Sequence, residues 1–505
     1  MFKNQPKGLL AAALANMGER FGFYTMMAIL SLFLQSKFGL DEVGAGWIYS
    51  SFYFSIYAMA LLGGIIADGT KKYKTVILCG LVAMSAGYLL LAMPTTVTPD
   101  SRTALIVYTC VALFVISFGN GLFKGNLQAL VGQMYDNPQY SQMRDRGFSI
   151  FYMFINIGAV FAPFIAPNVR NWWLAQHGFN YNAGLPALCH EYLAQGSSMA
   201  ADKITKFSEL AQNASVGSFS GDLGAFANQY LNVFNTGFHY SFAVAIVAMA
   251  ISVVIYLFNV RRFPDPAKKA AAAKGTEVEM SVAEMRQRIY ALLAVFAVVI
   301  FFWFSFHQNG LTLTYFAKDY TLLKLGSLNI TAENFQSANP FFVVFLTPLV
   351  VALFGALAKR GKEPSAPRKI AIGMGIAALG FVIMALGSYG LPSLDEVKAM
   401  GELPEIKRVT PWLLIATYFV LTVAELFISP LGISFVSKVA PPKLQGVMQG
   451  LWLLATGLGN QLLILGAVFY KNIPIWATWT VFVAACFISM FTLLAMVKWL
   501  ERVAK

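Results

Sequence analysis

Charge is scarce in this sequence. Asp, Glu, Lys and Arg together make up 12% of its 505 residues, against about 25% in a soluble domain, which argues against an ordinary water-soluble fold. Hydrophobic residues reach 57%, aromatic residues 14% and mean hydropathy +0.62, the composition of an integral membrane chain. Cysteine is equally thin: Cys79, Cys110 and Cys486 fall in apolar runs and Cys189 stands alone in a polar one, so neither a disulfide framework nor metal-ligand spacing follows. No nucleotide-phosphate loop, His/Cys zinc cluster or Gly-x-Ser-x-Gly elbow is present, which argues against an ATP-driven pump and against an enzyme, and predicts no cofactor. Uphill movement of a solute would have to draw on an ion gradient. The net charge of +13 would point to nucleic acid in a soluble domain; here it reads as Lys and Arg enrichment in cytoplasmic loops, with no nucleic-acid partner.

What the chain does have is long apolar runs. They divide it into twelve candidate spans, near 8–36, 44–68, 73–94, 103–134, 146–167, 239–260, 289–316, 338–358, 368–390, 411–437, 443–470 and 474–499. Each meets the roughly 20 residues a helix needs to cross a bilayer. The first is too long for a signal-peptide core and lacks a small-residue cleavage site, so it is read as a helix that stays. One set of loops carries Lys71, Lys72, Lys74, Arg144, Arg146, Arg261, Arg262, Lys359, Arg360, Lys362, Arg368, Lys369, Lys438 and Lys443, while the opposite set mixes signs, as at Asp41, Glu42, Lys318 and Asp319. The positive-inside rule then places both termini in the cytoplasm. Residues 168–238 read as an exterior insert with a helix near 200–211, and 261–288 as a cytoplasmic connector whose Lys268, Lys269 and Lys274 suit either an anionic leaflet or plain solvent. The expected domains are 1–260 and 289–505, each a six-helix bundle. A small-residue helix end followed by a basic turn occurs at 64–74 and recurs at 355–362, as a duplicated unit would leave it. Asp68, in the first copy, reads either as an acceptor for neighbouring helix ends or as a helix terminator.

The spans contain polar groups that lipid does not tolerate cheaply. Residues 16–24 read Asn-Met-Gly-Glu-Arg-Phe-Gly-Phe-Tyr, and a carboxylate or guanidinium at such a depth costs about 2.5 to 3.5 kcal/mol on insertion scales, so Glu19 and Arg20 either face a bundle interior or a wet path or form a neutral pair that only fixes helix packing. At helical spacing Asn16, Glu19, Arg20, Phe23, Tyr24 and Met27 share one face. Span four carries Ser117, Asn120, Lys124 and Asn126, with Gly121 and Gly125 allowing close approach. A lysine there needs an acidic partner, an anionic ligand or loss of its proton. Span ten offers Glu425, one turn before Ser429 and Pro430. If Lys124 and Glu425 meet, the pair would tie the two bundles together. His307 in span seven is a possible proton site, or a histidine satisfied by one core hydrogen bond. Asn339 beside Pro340 reads as a ligand group or a helix cap, and Tyr53, Tyr57, Asn156 and Trp452 as packing or cavity lining.

Taken together, Glu19-Arg-Phe21, Phe151 to Gly158, Gln336 to Pro340, Glu425 to Pro430 and Gly450-Leu-Trp452 resemble the proton-coupled oligopeptide transporter family, the peptide-transporter branch of the major facilitator superfamily. The resemblance implies an all-α membrane protein of about twelve helices in two six-helix bundles, a monomer in a bacterial inner membrane, moving small peptides and protons across the lipid bilayer by alternating access. It implies proton coupling and gating by Glu19, Arg20, Lys124 and Glu425, with His307 as a substitute site. The substrate would meet Arg20, Tyr24, Tyr57, Lys124, Asn156, Asn339, Glu425, Ser429 and Trp452. The chain departs from the family pattern where Asn16 replaces the first glutamate of the first-helix motif, Phe23 its first tyrosine, Met27 a second arginine, His307 that arginine's span-seven glutamate, and Gly125 a proline. The connector has no room for the two extra helices of many bacterial members. Losing Met27's and His307's counterparts together is coherent, because losing one alone would strand a buried charge. Two alternatives remain open: a carrier of this fold for another small zwitterion or anion, and a peptide sensor that does not transport.

Overall fold

The computed structural model describes residues 5–135, 139–140, 144–217, 219–264, 281–441 and 444–503. Seventeen α-helices occur among them. The first set is α1 (Leu9–Phe38), α2 (Glu42–Thr70), α3 (Tyr73–Ala92), α4 (Arg102–Met134), α5 (Arg144–Gln176) and α8 (Leu223–Asn259), with the short α6 (Leu185–Gln195) and α7 (Ala201–Ala214) between the last two. The second set is α9 (Val282–Phe306) continued by α10 (Thr312–Tyr320), α11 (Ala338–Lys359), α12 (Ala366–Gly387), the short α13 (Leu394–Ala399), α14 (Pro411–Val439), α15 (Gln445–Gln461) continued by α16 (Leu463–Asn472), and α17 (Ile475–Val503). The sole sheet among the described residues is a hairpin of β1 (Lys324–Leu325) and β2 (Leu328–Asn329). Eleven helical stretches are long and apolar enough to cross a bilayer. The 30-residue α1, which carries Glu19, Arg20 and Lys37, makes the twelfth long element.

The helix ends follow from local chemistry. Asp41 caps α2 by accepting from the Gly44 amide at 2.8 Å, and Thr410 with Pro411 opens α14. Gly39 closes α1 at φ 59, a left-handed position a Cβ would strain. Within the first set α1 packs on α5 and α8, and α4 on α2 and α3; within the second α12 packs on α14 and α17, and α9 on α15. The sets meet along α2 with α15 and α16, and along α5 with α11. Close approach explains the glycines of α4. A Cβ on Gly119 would come 2.7 Å from the Gly80 carbonyl oxygen, and one on Gly121 2.8 Å from Met59 Cβ, whereas Gly125 borders open space and brings no backbone near.

The structure moves two boundaries. Helix α5 runs through Pro163 and Pro167 to Gln176, and α8 begins at Leu223, so the segment outside the long helices is 177–222 rather than 168–238. Proline ended the expected span because it cannot donate to the carbonyl four residues back. Here the carbonyl of Pro163, which Pro167 leaves without a helical donor, accepts instead from Asn334 Nδ2 at 2.8 Å. The helix expected near 200–211 is Ala201–Ala214. It buries Phe207, Leu210, Ala211 and Ala214, and the Phe207 ring lies 5.9 Å from that of Phe226 on the extended α8. Asp68 accepts from the Tyr73 hydroxyl across the turn after α2. The connector's Pro266, Lys268, Lys269 and Lys274, together with Lys443 and the side chains of Arg144, Arg146 and Lys438, lie outside the described residues.

Candidate functional site

A cavity of about 300 Å³ opens between the two helix sets. Arg20 and Tyr24 of α1, Tyr57 of α2, Lys124 of α4 and Asn156 of α5 line one side; Asn339 of α11, Glu425 and Ser429 of α14 and Trp452 of α15 line the other. Nine of the eleven residues singled out from sequence therefore border one space. Glu19 and His307 do not.

Glu19 sits directly behind the cavity and is fully buried. Arg20 donates to both of its oxygens, from Nε at 2.5 Å and Nη2 at 2.6 Å, and Asn120 Nδ2 adds a third bond at 2.9 Å. The guanidinium also lies 4.6 Å from the Phe23 ring centroid, the residue that stands in place of a tyrosine. The Arg20 charge is thus compensated within α1 itself. Lys124 differs. Its Nζ lies 5.2 Å from the Tyr57 ring centroid, and among the described residues no carboxylate pairs with it. Glu425 accepts from Asn339 Nδ2 at 2.8 Å, and the same amide reaches Thr422 Oγ1 at 3.1 Å. Asn339 is not the cap of α11, which Ser337 begins. Lys124 and Glu425 face the same cavity without forming the ion pair expected if they met. Ser429 Oγ has no hydrogen-bond partner among the described residues. The cavity consequently presents one uncompensated cation and, on its far wall, one carboxylate held by a neutral amide.

His307 stands one layer back. Its Nδ1 lies 2.5 Å from Asn460 Oδ1, its ring stacks 4.6 Å from Trp303, and Tyr53 lies 5.0 Å away. Since an amide oxygen only accepts, Nδ1 carries the proton. Met27 is buried, so the absence of the family's arginine leaves no charge stranded. Asn16 is buried too, with its Nδ2 unpartnered.

Above the cavity, on the side of Asp41 and Glu42, polar contacts cross between the two sets. Ser31 donates to the Gly310 carbonyl at 3.1 Å, Gln336 to that of Ala28 at 3.1 Å and Ser337 to that of Val160 at 2.7 Å. Lys398 pairs with Glu42 at 2.7 Å and Lys471 with Asp41 at 2.6 Å. Burial would raise the Asp41 pKa, but the hydrogen bonds from Lys471 and the Gly44 amide, with the Lys471 and Lys398 charges, hold it below the ordinary carboxylate value. The most buried tie is Arg170 of α5 with Glu333, in the turn before α11: Nη1 to Oε1 is 2.5 Å, both side chains are fully buried, and Tyr181, Phe234 and Phe238 present ring faces to the guanidinium at 4.3 to 5.2 Å. This end of the protein is closed.

A family model described as the POT family matches residues 73–190 and 265–479, well over half of the chain. The chain belongs to the POT family. The POT protein is 28% identical over 486 residues to the peptide transporter YePEPT of Yersinia enterocolitica, which covers 91% of this chain and 87% of that one. It is 27% identical over 467 residues to dipeptide and tripeptide permease A of Escherichia coli, covering 90% and 83%. Among solved structures, a peptide transporter POT in complex with sulfate matches with a TM-score of 0.74 at 23% identity, covering 100% of this chain and 96% of that one. A POT family transporter in complex with 5-aminolevulinic acid matches at 0.73 and 20%, covering 100% and 98%. The fold is therefore the all-α major facilitator fold with about twelve membrane helices, and the POT protein is a multi-span membrane protein.

Sequence reasoning did not assign roles to four groups the structure brings forward. Asn120 fixes Glu19, Asn460 fixes His307, and Tyr152 and Gln128 line the cavity. Arg170 and Glu333 were missed altogether. Arg170 fell in a segment read as exterior loop once Pro167 was taken as a helix end, and the signal that could have found it was a lone arginine soon after an apolar run.

Proposed function

We propose that this POT protein is a proton-coupled symporter of di- and tripeptides working by alternating access. The observation that carries the reading is the pair of facing charges: Lys124, with no carboxylate partner among the described residues, and Glu425, held by Asn339 and lying across a cavity of about 300 Å³. A zwitterion satisfies both poles at once, its carboxylate at Lys124 and its ammonium at Glu425 and Asn339, and desolvated opposite charges reward that match strongly. Arg20, with Glu19 already neutralising it, shares the carboxylate in a supporting role now that Met27 supplies no cation. Tyr24, Tyr57, Asn156, Ser429 and Trp452 complete the lining. The relatives named as a peptide transporter and as a dipeptide and tripeptide permease support peptides as the cargo.

Proton coupling in this reading runs through Glu19 and Glu425, with His307 as a substitute site reached through Tyr53 and Trp303. Residues 1–260 and 289–505 act as the two rocking bundles, the protein works as a monomer, no cofactor beyond the proton gradient takes part, and it resides in the bacterial inner membrane with both termini cytoplasmic. The basic loops and the bacterial relatives support that placement. A second reading, a carrier of another small zwitterion, is favoured by the buried Asn16, Met27 and His307 at positions where the family keeps charge. Counterflow of labelled dialanine in proteoliposomes against a panel of peptides and other zwitterions tests both. Exchange competed by di- and tripeptides supports the first, exchange competed only by non-peptide zwitterions the second, and absence of counterflow with any peptide defeats the lead reading.

A further inference from the structure

A second cavity, of about 480 Å³, lies wholly within the first helix set. It sits at the Asp41 end of the molecule, between the end of α1, the loop joining α3 to α4, and helices α6 and α8. Its charged lining is of one sign. Lys37 and Arg102 border it with His190 beside them, and no Asp or Glu is among its lining residues. Asp100, in the same loop, is exposed and does not line it. Glu191, next to His190, is engaged by Lys203 at 2.6 Å.

Lys37 is the unusual member. It is 3% exposed, and its ammonium is held by neutral groups only: Thr95 Oγ1 at 2.5 Å, the Thr95 carbonyl at 3.1 Å and His239 Nε2 at 2.5 Å. His239 Nδ1 faces the Leu91 carbonyl at 2.6 Å and so carries the ring proton. That leaves Nε2 as an acceptor and the imidazole neutral, so the charge this contact can carry resides on Lys37. A buried cation satisfied by neutral acceptors keeps its hydrogen bonds but lacks a counter-charge. Arg102 spends Nε on the Phe38 carbonyl at 2.8 Å, and its two Nη groups have no bond to a described residue. The amide of Asn232 and the hydroxyl of Thr96 border the same space as neutral donors, while Asn228 Nδ2 already donates to the Gly224 carbonyl at 3.0 Å.

We propose that this cavity binds a phosphate group. The volume exceeds what a halide fills, and two cations with several neutral donors and no competing carboxylate suit a tetrahedral anion with several acceptor oxygens. Two sources share that chemistry, a phospholipid headgroup and free phosphate. Met93 and Val107, both more than half exposed beside the α3–α4 loop, offer apolar surface for acyl chains in the first case.

The test follows the thermal unfolding midpoint of the purified full chain in two arms. In one, delipidated protein in detergent is titrated with inorganic phosphate at constant ionic strength against chloride. In the other, nanodiscs of phosphatidylglycerol are compared with nanodiscs of a phosphate-free galactolipid. Arg102→Gln removes the exposed cation, and Asn232→Asp sets a carboxylate in the cavity without touching the buried Lys37. The expected result is a saturable upward shift in at least one arm, with half-saturation at least tenfold weaker in Arg102→Gln and no shift in Asn232→Asp, whose phosphate-free midpoint does not fall. A response to inorganic phosphate identifies the free anion as sufficient; a response in the lipid arm alone identifies the headgroup. No saturable shift in either arm, or equal shifts in wild type and both variants, overturns the proposal.

Discussion

At the scale of single residues, ligand recognition in the proposed symport depends on which charges are already spent. Glu19 neutralises Arg20 within one turn of helix, so the groups that the proposed function assigns to the two ends of the ligand are Lys124 and Glu425. Lys124→Gln and Glu425→Gln should each lower initial dipeptide uptake tenfold or more, measured in proteoliposomes at matched protein density. Asn120→Ala should act more mildly and differently. It removes one of three hydrogen bonds from a buried carboxylate, worth about 1.5 to 3 kcal/mol for a charged acceptor, so the unfolding midpoint should fall while the peptide competition pattern is kept. Asp41 makes a contrasting case. Its folded pKa lies below the ordinary carboxylate value, so its contribution is present above that value and is lost as pH falls through the lower folded-state one. Because Asp41 and Lys471 are 43% and 37% exposed, the tie is worth at most about 1 kcal/mol, and Asp41→Asn should leave stability at neutral pH nearly unchanged. Most of the cavity was legible in the sequence because an ionisable group in an apolar run must have a polar neighbour or a wet space. Which groups would pair was not. A pair between Arg20 and the adjacent Glu19 was one of the two readings that stretch allowed, whereas Lys124 finding no carboxylate among the described residues depends on rotamers and helix rotation that spacing alone does not set.

At the scale of elements, α5 and the turn before α11 carry the closure of the Asp41 end. Arg170 and Glu333 are fully buried partners from different helix sets, so removing one leaves the other as an uncompensated buried charge at a cost of about 3 to 5 kcal/mol. Arg170→Met alone should therefore shift the protein away from this closed arrangement, read as faster labelling of a cysteine placed at Ala28. Arg170→Met combined with Glu333→Leu should recover most of the protection. If the single and double variants label alike, the pair does not hold this end shut. The same elements show why the insert was misjudged. Pro167 closes the expected span in a linear reading, yet α5 continues past it to Gln176, and Asn334, from a distant part of the chain, supplies the donor that the Pro163 carbonyl lacks. Long apolar runs located the membrane helices, whereas a proline compensated across 167 to 171 residues of chain leaves no local trace. Close packing is sharper still on α4, where Gly119→Val would drive a side chain into the Gly80 carbonyl region, and loss of folded protein by size exclusion is the expected outcome.

At the scale of the whole molecule, closure at the Asp41 end and a cavity with Lys124 on one wall and the Asn339-held Glu425 on the other fit the proposed carrier with a central site. The two poles belong to different helix sets, so in the proposed symport a zwitterion bridging Lys124 and Glu425 would draw the sets together in either orientation, and protonation of Glu425 would remove one pole. That coupling makes accumulation, rather than binding, the decisive property. The most direct measurement is accumulation of labelled dialanine in proteoliposomes with an inward-directed proton gradient, comparing wild type with Glu425→Gln. The account predicts concentration above equilibrium in wild type, collapse of that excess when a protonophore is added, and no accumulation in Glu425→Gln. Accumulation in Glu425→Gln equal to that of wild type, or wild-type accumulation indifferent to the protonophore, would contradict it.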